Sequence, residues 1–419
     1  MSTPLQSLKA QTGVILVTTL LLLILLTGVA LTSLAALGVN QSQSQNLVNT
    51  KQAFELADAG IQYATKYLNQ HQPLWSTYAS ATAQTLIPST TLTGLGTFTV
   101  SVQDGGNGSL KITSTGTASN NTQSVITALI ALGPYVPEDA LTTDQSLTIS
   151  GNMTVTGTNG GVHSNGSLTI TASPTISTNA TAFGTYSASA TAQISGVTGG
   201  SLYDAPIPLM HPLDFRAAAD YILSWDGNVY NQAGVVQPRD GMGYWYCWQF
   251  VNTPNPHWEM VCDSYTNVLI NASLYIEGDA IIWSGPGNFD PWVPLVGTII
   301  AEGDLVINGD WVALRAPMPS DGALFKASTQ NLLFLAGGDV KIAGGVRQRY
   351  QGIIVAGEQL SIQAPATIGG YLLAQDLSNM SGTVTSNSVT GAVALTYNGD
   401  YPAPATLLKT ARVLTWKIQ

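Results

Sequence analysis

The first feature of the chain is an apolar segment that runs from Val14 to Gly38 without a charged residue. A helix rises about 1.5 Å per residue, so a segment of this length can cross the roughly 30 Å hydrocarbon core of a bilayer. The flanking sequence could not enclose it as a buried helix. A cleaved secretory signal would have a shorter apolar part and a more basic start. The pattern predicts a retained membrane span, and Lys9 favours a cytoplasmic N-terminus.

The apolar segment continues into an amphipathic one over residues 41–70. Apolar residues recur there every seven positions, at Leu47, Phe54, Ile61 and Leu68. This spacing predicts that one helix continues to about Asn69, and Pro73 ends it. We expect Phe54 and Ile61 to pack this half of the helix against a folded head.

Two stretches of the helix carry a family resemblance. They are Gly13-Val14-Ile15-Leu16-Val17-Thr18-Thr19-Leu20 and Gln52-Ala53-Phe54-Glu55-Leu56-Ala57-Asp58-Ala59-Gly60-Ile61. Over roughly residues 9–65 the chain resembles the N-terminal region of PilX-type minor pilins, which belong to the type IV pilus assembly machinery. The C-terminal segments Leu395–Asn398 and Leu414–Lys417 resemble the ends of such chains more weakly.

The resemblance implies cleavage by prepilin peptidase between Gly13 and Val14. It also implies that the partners are other pilins, the pilus assembly platform and the inner membrane. The chain departs from the pilin pattern at Thr18, because pilins usually have Glu at the fifth mature position. A buried carboxylate is costly unless it is paired, so Thr18 removes both a cost and an assembly constraint. The leader is also weakly basic, with Lys9 alone.

Residues 91–132 alternate apolar and polar positions around a glycine-rich turn at residues 104–108. This pattern predicts a strand, a turn and two more strands, which could form a small antiparallel sheet packed on the helix. A plain β-meander is the alternative reading of the same pattern.

Short β-type runs recur after residue 134 and become more regular after residue 297. Four of these later runs align on Ala301, Ala336, Ala356 and Ala374, which are 35, 20 and 18 residues apart. Short strands that repeat at about 20 residues predict a parallel β-helix, and the longest spacing predicts an insertion containing Pro317 and Pro319.

Acidic residues follow glycines at the corners of these repeats, at Asp279, Asp304, Asp339 and Glu358. Glycine and aspartate form turns, so the favoured interpretation is structural. A calcium site and a general acid–base pair are the alternatives left open.

Residues 201–270 are rich in aromatic side chains and contain the chain's two cysteines. Cys247 and Cys262 would lie on the exported side, where an even cysteine count favours a disulfide over free thiols or a metal site. Aromatic residues crowd around them, at Tyr244, Trp245, Trp248 and Trp258. They could form an exposed aromatic binding surface, or the core of a small insertion stapled by the disulfide.

The composition adds a formal net charge of −10 and only 9% charged residues. Nucleic acid is disfavoured as a partner because no basic patch could neutralise phosphates. We expect no cofactor, no metal and no enzymatic activity.

The sequence therefore predicts an α+β chain with a long N-terminal transmembrane helix, a small β domain and a mainly-β body, a right-handed parallel β-helix with an insertion. The expected divisions are a leader (1–13), a stem helix (14–70), a small β-sheet domain (71–134), a first β-helix part (135–200), an aromatic insertion (201–270), and the main β-helix part with C-terminal strands (271–419). A minor pilin-like structural protein is the leading function. Its helix would lie in the filament or the inner membrane, with the body in the periplasm or outside the cell. A membrane-anchored carbohydrate-active enzyme and a pilus-independent adhesin are the alternatives.

Overall fold

The computed structural model describes residues 6–70, 75–78, 80–106, 109–201, 204–205, 207–240, 243–245, 247–261, 272–284, 295–309, 313–324, 326–344, 348–363, 365–378, 382–401 and 409–418. The chain forms two compact units. The first contains Met1–Ala64, Ser76–Ile130 and Val413–Gln419, and the second contains Thr65–Trp75 and Ala131–Arg412. The protein is mainly β, with one long N-terminal apolar helix.

Helix α1 (Gln6–Gln70) is continuous, and a short helix α2 (Trp75–Tyr78) follows it. The predicted end of the stem near Asn69 is therefore confirmed. Within α1, Val17–Leu34 has a mean hydropathy of 2.3 and none of it is buried. By length and composition this one helix could cross a membrane.

The strands are, in chain order, β1 (Gln84–Leu92), β2 (Gly96–Gly106), β3 (Ser109–Ala118), β4 (Gln123–Pro134), β5 (Leu141–Thr143), β6 (Leu147–Ile149), β7 (Thr154–Thr156), β8 (Val162–Ser164), β9 (Leu168–Ile170), β10 (Thr175–Ile176), β11 (Ala180–Ala182), β12 (Tyr186–Ala188), β13 (Gln193–Ile194), β14 (Thr198–Gly200), β15 (Tyr221–Leu223), β16 (Val229–Asn231), β17 (Trp248–Val251), β18 (His257–Val261), β19 (Ala272–Ile276), β20 (Asp279–Ser284), β21 (Leu295–Ala301), β22 (Leu305–Ile307), β23 (Ala313–Arg315), β24 (Leu332–Ala336), β25 (Val340–Ile342), β26 (Gln348–Ala356), β27 (Leu360–Ile362), β28 (Ala366–Ala374), β29 (Asn387–Val389), β30 (Val393–Thr396) and β31 (Lys409–Ile418). Short 3₁₀ helices span Pro212–Ala218, Pro319–Leu324 and Ala327–Thr329.

The first unit contains a five-stranded sheet with the order β1-β2-β3-β4-β31. Strands β2, β3 and β4 are the three that alternation predicts. Strand β1 begins before the alternating segment and was not predicted, and its pairing with β2 is irregular on both sides of Ile87, which obscures its alternation. Strand β31 was expected to belong to the β-helix part, and instead it completes the sheet of the first unit.

The second unit is built from parallel strands stacked in three columns. The columns are β12-β9-β6-β29-β27-β25-β22-β20; β13-β10-β7-β30-β28-β26-β23-β21; and β14-β11-β8-β5-β28-β26-β24-β21-β19-β15. Strands β21, β26 and β28 are long enough to take part in two columns. The predicted alanine alignment is confirmed, because Ala301 pairs with Ala336, Ala336 with Ala356 and Ala356 with Ala374.

The chain does not pass through this stack in sequence order. Strands β5–β14 lead from the middle of the stack to one end, and β15 begins at the other end. The last strands then return to the middle, where β28, β29 and β30 pair in parallel with β5, β6 and β7. The two β parts expected at residues 135–200 and 271–419 are therefore one stack.

The region expected to be a separate insertion forms one end of this stack. Strands β15 and β18 pair in parallel with β19 and β20, while the hairpins β15–β16 and β17–β18 are antiparallel. Trp245, Trp248 and Trp258 are at most 2% exposed, and they join the hydrophobic core of the unit. The interpretation as an exposed aromatic binding surface is therefore wrong for these three residues. Their large apolar area is needed to cover the end of the stacked core. Tyr244 is half-buried.

Candidate functional site

The first half of α1 presents an apolar surface on all sides. Its large side chains are exposed, from 55% at Val29 to 68% at Leu25. The hydroxyls of Thr27 and Thr32 donate hydrogen bonds to the carbonyl oxygens of Leu23 and Gly28, at 2.9 and 3.0 Å. These polar groups are thus satisfied within the helix, as an apolar surrounding requires. Such a surface suits lipid chains or neighbouring apolar helices.

The second half of α1 packs on the sheet of the first unit. The buried positions follow helical spacing, at Ala53, Leu56, Ala57, Ile61 and Ala64. Two glycines permit a close approach between helix and sheet. A Cβ on Gly116 of β3 would lie 2.2 Å from the Ala53 carbonyl oxygen, and one on Gly60 would lie 2.1 Å from the Ser114 hydroxyl. The helix therefore rests directly on the backbone of the sheet.

The two residues predicted to hold the stem differ in their environments. Ile61 is 6% exposed and belongs to the buried face. Phe54 is half-buried, and its ring centroid is 6.3 Å from that of Trp416 in β31. Leu47 is 72% exposed, so the buried face does not follow the seven-residue repeat to its start.

Gly13 and Val14 lie in the first part of α1. Cleavage between them stays a prediction. Thr18 lies on the exposed apolar part of the same helix.

The acidic residues at the corners form a row in the second unit. The Asp279 carboxylate accepts the Asp304 N–H at 2.9 Å, and Asp304 accepts the Asp339 N–H at 2.8 Å. Asp339 accepts the N–H of Gln359 at 2.9 Å and that of Val384 at 2.6 Å. Each carboxylate thus binds the backbone of the next coil, which supports the structural interpretation of the corners.

Hydrogen bonds also occupy the outer oxygens of this row. Thr383 donates to Asp304, and Ser378 donates to Glu358. Burial raises the pKa of Asp279, and the Asp304 N–H partly opposes that rise. No group of three or more His, Cys, Asp or Glu side chains suited to a metal occurs in the described part of the chain.

The cysteine prediction falls partly outside the described residues. Cys247 is not a free thiol. Cys262 lies outside the described residues, so the Cys247–Cys262 pair stays a prediction.

A buried polar cluster around His163 was not identified from the sequence. The His163 ring, 4% exposed, contacts the Thr181 hydroxyl at 2.8 Å and the Asn165 carbonyl at 3.0 Å. Burial lowers the pKa of His163, although Asn165 opposes that shift. Asn165 also donates to Asp144 and to the Ala205 carbonyl, so the cluster holds the chain at Ala205. An isolated histidine among glycine, serine and asparagine residues gave no signal of this role.

The second unit also has an open groove of about 690 Å³ on the outer side of β23, β26, β28 and β30. Arg315 lines it and donates two hydrogen bonds to Asp321, at 2.6 and 2.7 Å. This pairing lowers the pKa of Asp321 and holds it in its charged form.

No protein-family model matches this chain, and no curated protein matches it. A solved structure described as "Shewanella frigidimarina ice-binding protein_1 DUF3494 Domain" is similar at 15% sequence identity. The match covers 64% of this chain and 99% of that chain, with a TM-score of 0.23. A likeness at this level carries no argument about this protein.

Proposed function

We propose that this protein is a minor pilin-like structural component of a type IV pilus or a related pseudopilus. Its stem helix would lie in the inner membrane with a cytoplasmic N-terminus before assembly, and among neighbouring pilin helices afterwards. Prepilin peptidase, other pilins and the assembly platform would be its partners.

One observation carries the proposal. A single uninterrupted helix has a fully exposed apolar first half and a second half packed on an antiparallel sheet. This arrangement separates a part that needs lipid or other helices from a part that is already folded. Small residues such as Gly28, which has nothing within 4 Å of its Cβ position, would allow other helices to approach closely.

We further propose that the second unit is a right-handed parallel β-helix that serves as a passive body. The parallel columns support this proposal, because connections between parallel strands are right-handed in nearly all proteins. The corner carboxylates favour a structural role over catalysis, because backbone N–H groups of the next coil occupy them.

N-terminal sequencing of the mature protein from native cells tests the proposal. We expect it to begin at Val14, and Gly13→Glu should leave an uncleaved membrane form that is absent from sheared surface filaments. Gln11→Glu is the matched control, since it adds the same charge two residues before the junction. A mature chain that still begins before Gly13, or starts beyond Gly38, would refute pilin-type processing. Filaments unaffected by loss of the protein would favour the adhesin or the anchored enzyme.

A further inference from the structure

The two ends of the second unit differ in how their last strands are covered. At one end the hairpins β15–β16 and β17–β18 turn antiparallel, and buried tryptophans cover the core. At the other end the columns stop at β12, β13 and β14. Among the described residues, each of these three strands pairs with a strand on one side only, namely β9, β10 and β11. The described residues provide no cap there.

These last strands leave backbone hydrogen-bonding groups directed away from the stack. In β13, the N–H groups of Gln193 and Ser195 donate to the preceding coil at 2.9 and 3.0 Å. Alternate residues of a strand direct their peptide groups to opposite sides, so those of Ile194 face the open end. The same holds for Ala188 in β12, because the Ser189 N–H donates to Ile170 at 2.8 Å.

The described strands of this end also lack the usual protection of an exposed strand edge. Charged side chains, prolines and bulges normally prevent unpaired edges from pairing with other chains. The edge strands of the five-stranded sheet have such features, with Pro88 and irregular pairing in β1, and Lys409, Arg412 and Lys417 in β31. No Asp, Glu, Lys or Arg occurs between Asp144 and Asp204, and no proline occurs between Pro174 and Pro206. Val197, at 65% exposure, and Phe183, at 50%, add apolar surface.

We propose that this end pairs with the same end of a second copy of the protein, through a two-fold axis beside β13. Such an axis sets β13 antiparallel to its copy, with Ile194 opposite Ile194 so that the two residues exchange both N–H···O=C bonds. It also sets β12 of each copy antiparallel to β14 of the other. These two strands match in length, with three residues each.

Charge and geometry favour a second copy over other occupants. The chain has a net charge of −10, yet the segment that forms this end has no charge, so two copies meet without repulsion at the contact. Head-to-tail stacking is disfavoured because the opposite end is closed by hairpins. A self-complementary edge that satisfies its own peptide groups needs no other partner.

The contact is small, which sets its expected strength. Three edges of two or three residues each bury less than the roughly 800 Å² per partner of a standard interface. The dimer should therefore depend on protein concentration and become abundant where the protein is anchored side by side. This inference does not depend on pilin-type processing.

Cross-linking of the full chain in native membranes tests the pairing. In the two-fold arrangement, Gln193 of one copy lies diagonally from Gln193 of the other, at about 7–8 Å. A Gln193→Cys variant should therefore give dimers with a short bismaleimide. Thr169→Cys, one coil inside the end, should not. Dimers held together only by the stem helix would not show this difference.

Lysines on the edge provide the second measurement. Ser187→Lys combined with Thr198→Lys, both at exposed positions of the last strands, should lower the Gln193→Cys dimer yield at least fivefold. Thr169→Lys is the control, because Thr169 pairs with Ser187 in the same column but lies one coil inside the end. It should leave the yield unchanged. Equal yields in both variants, or no dimer although Gln193→Cys reacts with a single-headed maleimide, would overturn the proposal. Cross-linking to a different protein would overturn it as well.

Discussion

At the scale of single residues, Asp139 makes the stability of the second unit depend on pH. Burial, together with the nearby charge of Glu138, raises the pKa of its carboxyl from 3.8 to about 7. Between about pH 4 and pH 7 the folded state therefore binds more protons than the unfolded state. The contribution of Asp139 to the free energy of unfolding is therefore largest below pH 4. It is lost as the pH rises through 7.

We therefore expect Asp139→Asn to raise the stability of the second unit at pH 8, by about 1–3 kcal/mol, and to change it little at pH 4. Calorimetric unfolding of the full chain in detergent at both pH values measures the difference. Asp400→Asn, which removes an exposed charge, is the control and should have little effect at either pH. A gain for Asp139→Asn that is the same at both pH values would contradict burial of the charge as the cause.

The acidic row gives a second prediction at this scale. Asp339 is fully buried and accepts two backbone N–H groups, from Gln359 and Val384. Asp339→Ala leaves both donors without an acceptor and should cost about 2–5 kcal/mol, whereas Asp339→Asn keeps one acceptor and should cost less. Removal of calcium with a chelator should not shift the melting temperature of the unsubstituted protein. A chelator-dependent melting temperature would restore the calcium interpretation.

Residue-level predictions from the sequence succeeded where a position repeats and failed where burial depends on distant pairing. The alanines at 301, 336, 356 and 374 align because each repeat places a small side chain at the same point of the coil. The sequence left both a surface and a core open for Trp245, Trp248 and Trp258. The hairpin pairing of β17 with β18, and the bridge between Trp245 and Trp248, place them inside.

At the scale of elements, the contact of α1 with β3 decides whether the head holds its helix. A Cβ on Gly116 would lie 2.2 and 2.4 Å from backbone atoms of Ala53 and Ala57, so the helix must shift. We expect Gly116→Val to cost about 2–4 kcal/mol and to speed amide hydrogen exchange in β3. Gly28→Val is the control, because Gly28 lies in α1 with open space around its Cβ position. This substitution should leave hydrogen exchange in β3 unchanged. Unchanged exchange in Gly116→Val would show that the helix does not rest on the sheet.

The elements that the sequence predicted well are those with regular alternation or continuous apolarity. Helix α1 and strands β2–β4 belong to this class. Strand β1 was missed because its pairing is irregular near Ile87. Strand β31 was identified as a strand but placed in the wrong unit, because nothing local in Lys409–Ile418 indicates that it pairs with β4.

At the scale of the whole molecule, sequence neighbours are not always structural neighbours. The chain completes the first unit only with β31, after the entire second unit. The second unit in turn closes only when β28–β30 meet β5–β7. A repeat pattern indicates that strands stack, but it does not give the order in which distant strands meet. The predicted division at residue 200 failed for this reason.

This connectivity changes how the role of the stem must be tested. Deleting residues 135–419 would remove β31 and damage the head sheet, so a loss of assembly would not report on the second unit. Replacing residues 135–408 by a flexible linker keeps β1–β4 and β31 together. If the second unit is a passive body, we expect this shortened protein to enter surface filaments, as measured by immunoblots of sheared material.

A matched variant that also lacks residues 409–419 should fail to accumulate, because its sheet loses an edge strand that contacts Phe54 through Trp416. If the linker variant accumulates in the membrane but does not enter filaments, the second unit takes part in assembly.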